Sequence, residues 1–200
     1  MAIKVLVVDD SALVRSLLAE IIRDTPDMEL VGAAPDAYVA RDMVNQFTPD
    51  VITLDIEMPR MDGLAFLEKL MAARPTPVVM ISTLTEEGAD ATLRALELGA
   101  LDFIPKPKLG VTSGIREYAE IIIEKIRAAS SIKVKPLVKK NRPEFGGEQK
   151  LSVSENLQST EKIIAIGAST GGTEAIKDLL VQLPAAVPGI VMTQHMPPGF

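Results

Sequence analysis

Short apolar runs alternate with amphipathic segments along the first 128 residues of the sequence. The apolar runs are typical of strands buried on both faces of a parallel sheet, and they cover residues 3–8, 30–34, 51–56, 77–82 and 101–105. The segments between them repeat apolar residues at helical spacing, which predicts helices over 11–24, 36–47, 63–73, 85–98 and 113–128. Ser11 is placed to cap the first helix and Gly99 to end the fourth. Five strand–helix pairs predict an α/β domain, residues 1–128, with a five-stranded, doubly wound parallel sheet.

The alternation is lost over residues 129–160, where Ser, Pro, Gly, Lys and Glu are frequent and no apolar period remains. This composition predicts a flexible linker. The pattern then returns as one βαβ unit, with a strand over 162–166 that stops at Gly167, a helix over 172–183 and a strand over 189–194. Because so short a segment cannot bury a core of its own, we expect residues 161–200 to be the first part of a truncated, second α/β domain of Rossmann-like type.

The composition is that of a soluble globular protein, with 47% hydrophobic and 24% charged residues in a chain of 200. No apolar run approaches the roughly 18 residues that span a bilayer, and the N-terminal run is too short for a signal peptide. We therefore expect a cytoplasmic protein without membrane insertion. The absence of cysteine excludes disulfides and thiolate chemistry.

The net charge of −6 is unevenly distributed along the chain. Residues 1–130 carry 13 Lys and Arg against 21 Asp and Glu. Residues 131–150 carry six Lys and Arg against two Glu. An acidic first domain and a short basic stretch interrupted by Pro and Gly favour a solvated linker over a nucleic-acid surface. A DNA-binding output also fits poorly with residues 151–200, which hold two lysines and a βαβ pattern that is not a helix-turn-helix.

Polar residues stand at the ends of four predicted strands, at the edge where open α/β sheets bind ligands. Asp9 and Asp10 end the first strand, Asp55 the third and Ser82 the fourth, while Lys106 follows the fifth. Three carboxylates brought together repel one another unless a cation joins them, and oxygen ligands without Cys or His favour Mg²⁺. With Lys106 to hold an incoming oxygen, this arrangement suits an aspartate that accepts a phosphoryl group.

The motifs "VLVVDDS", "DIEMPRMDGL", "VVMIS" and "DFIPKP" together resemble a two-component receiver domain over residues 1 to about 125. The resemblance implies that a partner histidine kinase phosphorylates Asp55. It implies that Mg²⁺ is held by Asp10, Asp55, the backbone carbonyl of Glu57 and, through water, Asp9. It also implies a phosphoryl-binding lysine, a switch hydroxyl and a switch aromatic, which are Lys106, Ser82 with Thr83 as an alternative, and Phe103.

A single serine stands in the glycine turn of the βαβ unit, where residues 167–171 match G-x-S-x-G. In that motif the serine is a nucleophile on a tight strand-to-helix turn, but a glycine turn can also cradle a phosphate or merely bend the chain. The dinucleotide and P-loop glycine patterns are not met. His195, the only histidine, ends the next strand 26 residues after Ser169, and adjacent strands lie about 4.8 Å apart. The spacing predicts a nucleophile–base pair, in a chain order unlike that of α/β-hydrolases.

The stretches "IGASTGGTEA" and "QHMPPGF" resemble the catalytic domain of the chemotaxis response-regulator methylesterases, which are also glutamine deamidases. The resemblance implies hydrolysis of glutamyl methyl esters, and deamidation of glutamines, on the cytoplasmic helices of chemoreceptors. Ser169 would attack the ester carbonyl and His195 would relay the proton. In that family the acid that orients the histidine lies beyond position 200, so we expect the 200-residue fragment to be inactive as an esterase.

A second hypothesis assigns no catalysis to the C-terminal unit. On that hypothesis the receiver is a binding switch, and the βαβ unit binds a ligand without transforming it. Covalent labelling of Ser169 by a serine-reactive phosphonate distinguishes the two hypotheses, because it requires an activated serine.

Overall fold

The computed structural model describes residues 2–82, 86–106, 114–134, 162–184 and 187–195. Three parts of the sequence-based predictions lie outside these residues. They are the alternative switch hydroxyl at Thr83, residues 135–160 of the predicted linker, and residues 196–200 of the "QHMPPGF" motif.

The first domain contains a five-stranded sheet in which every neighbouring pair of strands is parallel. Its strands are β1 (Ile3–Val8), β2 (Met28–Ala34), β3 (Val51–Leu54), β4 (Val78–Ser82) and β5 (Asp102–Pro105). Their order across the sheet is β2-β1-β3-β4-β5, so the strand order reverses between β1 and β3. The predicted doubly wound fold is confirmed, and each strand begins and ends within two residues of its predicted position.

Helices cover both faces of this sheet. They are α1 (Ala12–Arg23), α2 (Ala37–Phe47), α3 (Gly63–Ala73), α4 (Glu86–Glu97) and α5 (Gly114–Ser130). Helices α1 and α5 enclose one core, in which Ile22 and Ile122 are fully buried. Helices α2, α3 and α4 enclose the other core, in which Leu67 and Met71 are fully buried. A core on each face explains why the strands read as continuous apolar runs.

Local signals in the sequence set two of the helix ends. The Ser11 side chain accepts a hydrogen bond from the Val14 N–H at 3.5 Å, and α1 begins after it as predicted. Gly99 has a φ of +98°, a left-handed conformation that ends the segment after α4. Helix α5 extends to Ser130, two residues beyond its predicted end.

The C-terminal unit is a two-stranded parallel sheet with one crossover helix. It consists of β6 (Ile163–Ala168), α6 (Gly172–Leu180) and β7 (Gly189–Gln194). The predicted stop of the first strand at Gly167 is wrong, because Gly167 and Ala168 still pair with Thr193 and Gln194. The predicted helix end at residue 183 is also wrong, since α6 ends at Leu180 and the chain continues in turn-type hydrogen bonds between residues three apart.

The small sheet exposes apolar side chains that the five-stranded domain would bury. Ile163 is 71% exposed and Val191 61% exposed, whereas every residue of β3 and β4 is buried. Among the described residues, no helix is long and apolar enough to cross a membrane.

Candidate functional sites

Three carboxylates meet beyond the carboxyl ends of β1 and β3. Asp9 and Asp10 follow β1 and Asp55 follows β3, and one oxygen of each lies within 4.8 Å of the others. Asp9 and Asp55 are 1% exposed, while Asp10 lies at the surface. The sheet topology brings them together because β1 and β3 are adjacent parallel strands whose ends share one edge.

Lys106 joins this cluster from the end of β5. Its ammonium nitrogen lies 3.0 Å from an oxygen of Asp9 and 2.8 Å from an oxygen of Asp55. The backbone N–H of Lys106 donates to the Ser82 carbonyl at 2.8 Å, which connects the loop after β5 to the end of β4. The Ser82 side chain is buried at this edge. The structure thus places Asp9, Asp10, Asp55, Ser82 and Lys106 at one edge of the sheet.

Burial dominates the protonation of the two inner carboxylates. It raises the pKa of Asp55 to about 6, although Lys106 opposes the shift and the negative Asp9 adds to it. Burial likewise raises the pKa of Asp9. Burial alone would lower the pKa of Lys106, but its contacts with Asp55 and Asp9 outweigh burial and raise it. A buried acid whose pKa is raised towards neutral pH, next to a fixed cation, is a common feature of reactive sites.

The loop between β3 and α3 packs against the backbone of Asp55. Gly63, the first residue of α3, donates its N–H to the Ile56 carbonyl at 2.8 Å. A Cβ atom at this position would overlap the Asp55 carbonyl, so only glycine fits. The Glu57 N–H lies beside the Asp55 carboxylate and lowers its pKa. The loop therefore holds the Asp55 carboxylate and the backbone of Glu57 in one arrangement.

The donor set fits a hard divalent cation. The buried carboxylates of Asp9 and Asp55 share one ammonium group, that of Lys106. With the Asp10 carboxylate beside them, one lysine leaves a surplus of negative charge when all three carboxylates are ionised, and a divalent cation would neutralise that surplus. The chain has no cysteine, and the cluster found among the described residues consists of carboxylates alone, which are ligands that Mg²⁺ prefers.

A hydroxyl and an imidazole meet at the corresponding edge of the small sheet. Ser169 follows β6 and His195 follows β7, and the Ser169 Oγ lies 3.3 Å from the His195 Nδ1. The backbone N–H of His195 donates to the Ala168 carbonyl at 2.8 Å, which continues the β6–β7 pairing up to the site. Both side chains are exposed. A distance of 3.3 Å is close to that of a nucleophile–base hydrogen bond.

Glycine and glutamine shape the turn that carries Ser169. Gly171 has a φ of +74°, and a Cβ on Gly172 would overlap the side-chain amide oxygen of Gln194. The Gln194 amide nitrogen donates to the carbonyls of Ser169 at 3.0 Å and His195 at 3.1 Å. The last residue of β7 thus holds the turn and the histidine in one arrangement.

The Ser169 turn also contacts the five-stranded domain. The Gly171 N–H donates to the Leu101 carbonyl at 2.8 Å, and the Thr170 hydroxyl donates to the Asp102 carboxylate. That carboxylate also accepts the Phe103 N–H at 2.7 Å and lies 2.7 Å from the Lys125 ammonium. The start of β5 is therefore bonded to the residues immediately after Ser169.

A small cavity of about 20 Å³ lies between the two units. That volume holds about one water molecule. Its lining comes from both units: Thr92, Leu96, Leu101, Asp102, Phe103, Ser169, Thr173, Gln194 and His195. Phe103, the predicted switch aromatic, is 3% exposed and forms part of this wall.

Comparisons with known proteins cover both units. Residues 5–110 match the family described as "Response regulator receiver domain", and residues 164–200 match "CheB methylesterase". Proteins named protein-glutamate methylesterase/protein-glutamine glutaminase align with the whole chain. The protein from Methylobacillus flagellatus is 59% identical over 203 residues, and one from Pseudomonas aeruginosa is 60% identical over 200, with 100% of this chain and 56% of each relative covered. The chain belongs to this family.

The methylesterase relatives are longer than this sequence, which spans about half of their length. Among solved structures, the response regulator domain of Thermotoga maritima CheB is 47% identical, with a TM-score of 0.61 over 66% of this chain and 99% of that one. The receiver domain of NtrX from Brucella abortus is 32% identical, with a TM-score of 0.55 over 64% of this chain and 99% of that one. The five-stranded domain is thus a receiver domain of the methylesterase family.

Sequence reasoning missed four residues beside the two sites: Asp102, Thr170, Gln194 and Arg15. The Arg15 guanidinium donates to the backbone carbonyls of Asp9 and Asp10. A weak signal for Asp102 was present, because a charged residue opens an otherwise apolar strand. The motif around Ser169 contained Thr170 without indicating its partner. The others act through contacts with backbone carbonyls, for which a residue type gives no signal.

Proposed function

We propose that this chain couples a phosphoryl-accepting receiver to a serine hydrolase that demethylates glutamyl methyl esters, and deamidates glutamines, on chemoreceptors. The observation that carries the proposal is the presence of two sites in one chain. One is the carboxylate cluster beside Lys106, and the other is Ser169 with its hydroxyl 3.3 Å from His195. The names of the relatives support this activity. A histidine kinase is the phosphodonor, the cytoplasmic helices of chemoreceptors are the substrate, and the cytoplasm is the compartment.

Asp55 is the phosphoryl acceptor of the receiver. With a pKa of about 6 it is mostly ionised at neutral pH, so a carboxylate oxygen can attack the phosphorus atom. A bond forms between that oxygen and phosphorus while the bond to the donor nitrogen breaks, and the leaving imidazole takes up a proton. The product is an acyl phosphate on Asp55.

Other residues of the cluster support this transfer. Asp10, Asp55 and the Glu57 carbonyl, with Asp9 through water, would hold Mg²⁺, which supplies positive charge to the phosphoryl oxygens when bound. Lys106 already lies against Asp55 and binds a phosphoryl oxygen. Ser82, buried at the end of β4, supplies the switch hydroxyl, and Phe103 is the switch aromatic.

Ser169 and His195 carry out the hydrolysis. The Ser169 oxygen attacks the ester carbonyl as the histidine takes its proton, and that proton leaves with methanol. Water then attacks the acyl-enzyme and restores the serine, releasing a glutamate side chain. With a glutamine substrate the leaving group is ammonia. Helix α6 begins at Gly172, so the positive end of its dipole favours the oxyanion.

Receiver residues lie against one side of this pair. Receiver residues, among them Asp102 and Phe103, form one wall of the cavity that Ser169 and His195 also line. Ser169 and His195 nevertheless remain exposed on the other side, so the receiver borders the pair without enclosing it. Phosphorylation that moves Phe103 would also move its neighbour Asp102, which accepts the Thr170 hydroxyl. The receiver would then release the turn that carries Ser169.

The experiment is covalent labelling of Ser169 by a fluorophosphonate, together with methanol release from methylated chemoreceptor, for the protein in its full-length context. Wild type should be labelled and should release methanol, with both rates increased by phosphorylation. Ser169→Ala should do neither, and Ser159→Ala is a control outside the motif. If Ser169 stays unlabelled while the protein still binds receptor, the βαβ unit is a binding module and the hydrolase assignment is wrong.

A further inference from the structure

Arg15, near the start of α1, holds the loop that carries two of the three clustered carboxylates. One of its guanidinium nitrogens, Nη1, donates to the carbonyl oxygen of Asp9 at 2.8 Å and to that of Asp10 at 2.9 Å. These two carbonyls belong to the two planar peptide units that flank the Asp10 Cα. Fixing both units limits both backbone dihedrals of Asp10. The direction in which the Asp10 side chain leaves the backbone is therefore restrained by Arg15.

The carboxylates of Asp9 and Asp10 are held very differently. That of Asp9 is buried, accepts the Ser11 N–H at 2.8 Å and lies 3.0 Å from the Lys106 ammonium. That of Asp10 is exposed, and no hydrogen bond or ion pair from the described residues reaches it. A surface carboxylate without partners samples several rotamers. The backbone that Arg15 restrains is thus the main control on where the Asp10 oxygens lie.

We propose that Arg15 is a positioning residue that preorganises Asp10 for a divalent cation at the carboxylate cluster. The proposal rests on the metal-binding receiver function proposed above. The direction in which Mg²⁺ affinity changes when Arg15 is removed distinguishes positioning from an effect of charge. A guanidinium near the site repels a dication, so charge alone predicts tighter cation binding when Arg15 is removed. Positioning predicts weaker binding, because Asp10 must then be ordered at the moment of binding.

The test measures Mg²⁺ affinity by titration calorimetry on the metal-free chain. We expect Arg15→Gln to weaken Mg²⁺ binding by about tenfold. Arg15→Lys should recover part of the loss, since an ammonium can donate to both carbonyls. The matched control is Arg23→Gln, which removes a positive charge from the last turn of the same helix and should leave the affinity unchanged. In an Asp10→Asn background, Arg15→Gln should cause little further loss.

Thermal unfolding without Mg²⁺ establishes that each variant is folded at the assay temperature. Arg15→Met, which keeps the apolar stem of the side chain, replaces Arg15→Gln if the latter is unfolded. Unchanged or tighter Mg²⁺ binding by the folded variant overturns the proposal and leaves the cation site itself standing. A full effect that persists in the Asp10→Asn background also overturns it. If wild type binds no Mg²⁺, the metal-dependent receiver function fails together with the proposal.

Discussion

The two sites occupy equivalent places in two parallel sheets but differ in their surroundings. The carboxylate cluster lies in a complete domain, where Asp55 is 1% exposed and its pKa rises to about 6. Ser169 and His195 lie on a two-stranded sheet and are exposed. A site that depends on shifted protonation requires a core that excludes water around it. A hydroxyl–imidazole contact requires only a shaped turn and a neighbouring strand, and the small sheet provides both.

The largest effect should come from Asp55, the proposed phosphoryl acceptor. Asp55→Asn should abolish covalent phosphorylation by acetyl phosphate with Mg²⁺, because an amide oxygen does not replace the attacking carboxylate. Asp42→Asn, a change at an exposed carboxylate of α2, should react like wild type. Intact mass spectrometry counts the phosphoryl groups. Equal phosphorylation of the Asp55→Asn protein would mean that the cluster does not contain the acceptor.

Two glycine substitutions compare the packing of the two units directly. Gly63→Ala places a methyl group against the Asp55 carbonyl, so we expect a loss of about 3 kcal/mol in receiver stability and slower phosphorylation. Gly189→Ala, at the start of β7, should have little effect, since no atom of the described residues, apart from its two chain neighbours, lies within 4 Å of the added methyl. Calorimetric melting with and without Mg²⁺ measures the stability of the two variants. Similar losses in the two variants would show that the difference in packing does not extend to these positions.

Acid titration tests the desolvation of Asp55. Because burial raises its pKa from 3.8 to about 6, the folded state binds a proton more tightly than the unfolded state. The stability contributed by Asp55 is fully present below pH 4 and is lost as the pH rises to 6. We expect metal-free Asp55→Asn to be more stable than wild type at pH 7.5 by about 3 kcal/mol, with the difference shrinking towards pH 4.

The exposed carboxylate of Asp27 should show the opposite pH dependence of stability, and it serves as the control for that titration. Arg127 lowers the pKa of Asp27, so Asp27 stabilises the fold above its unfolded pKa and loses that contribution as the pH falls. Asp27→Asn should therefore lower the melting temperature at pH 7.5. A stability gain in both variants would point to net charge, and not to burial, as the cause.

The smallest effect concerns the contact between the two units. Thr170→Val removes the hydroxyl that donates to Asp102, and it should speed fluorophosphonate labelling of Ser169 in the unphosphorylated protein by about two- to fivefold. Thr173→Val is matched to it, because Thr173 also lines the cavity. The rate of adduct formation by mass spectrometry is the measurement. Equal rates for the two variants would show that the Asp102 contact does not restrain the turn.

The sequence predicted the elements of the receiver because apolar continuity in the strands and helical spacing between them reflect burial on two faces. It also predicted that Asp9, Asp10 and Asp55 meet, since parallel strands end at a common edge. The pairing of Ser169 with His195 followed from the same rule applied to a single crossover. These predictions needed only periodicity and chain connectivity.

The features that the sequence did not predict depend on contacts between distant parts of the chain. The extension of β6 to Ala168 is determined by its pairing with β7. The steric requirement for Gly63 arises from a carbonyl eight residues earlier in the chain, and the Asp102–Thr170 contact joins residues 68 positions apart. Such contacts depend on the exact placement of elements, which residue patterns do not determine.

The exposed apolar strands of the small sheet have a practical consequence for handling the protein. Among the described residues, neither outer edge of the two-stranded sheet is paired, and Ile163, Val191 and Met192 add exposed apolar surface to this sheet. Open edges flanked by apolar side chains favour pairing between molecules. Self-association should therefore rise with protein concentration through β6 and β7, whereas the central strands of the receiver are fully buried and present no apolar face to another molecule.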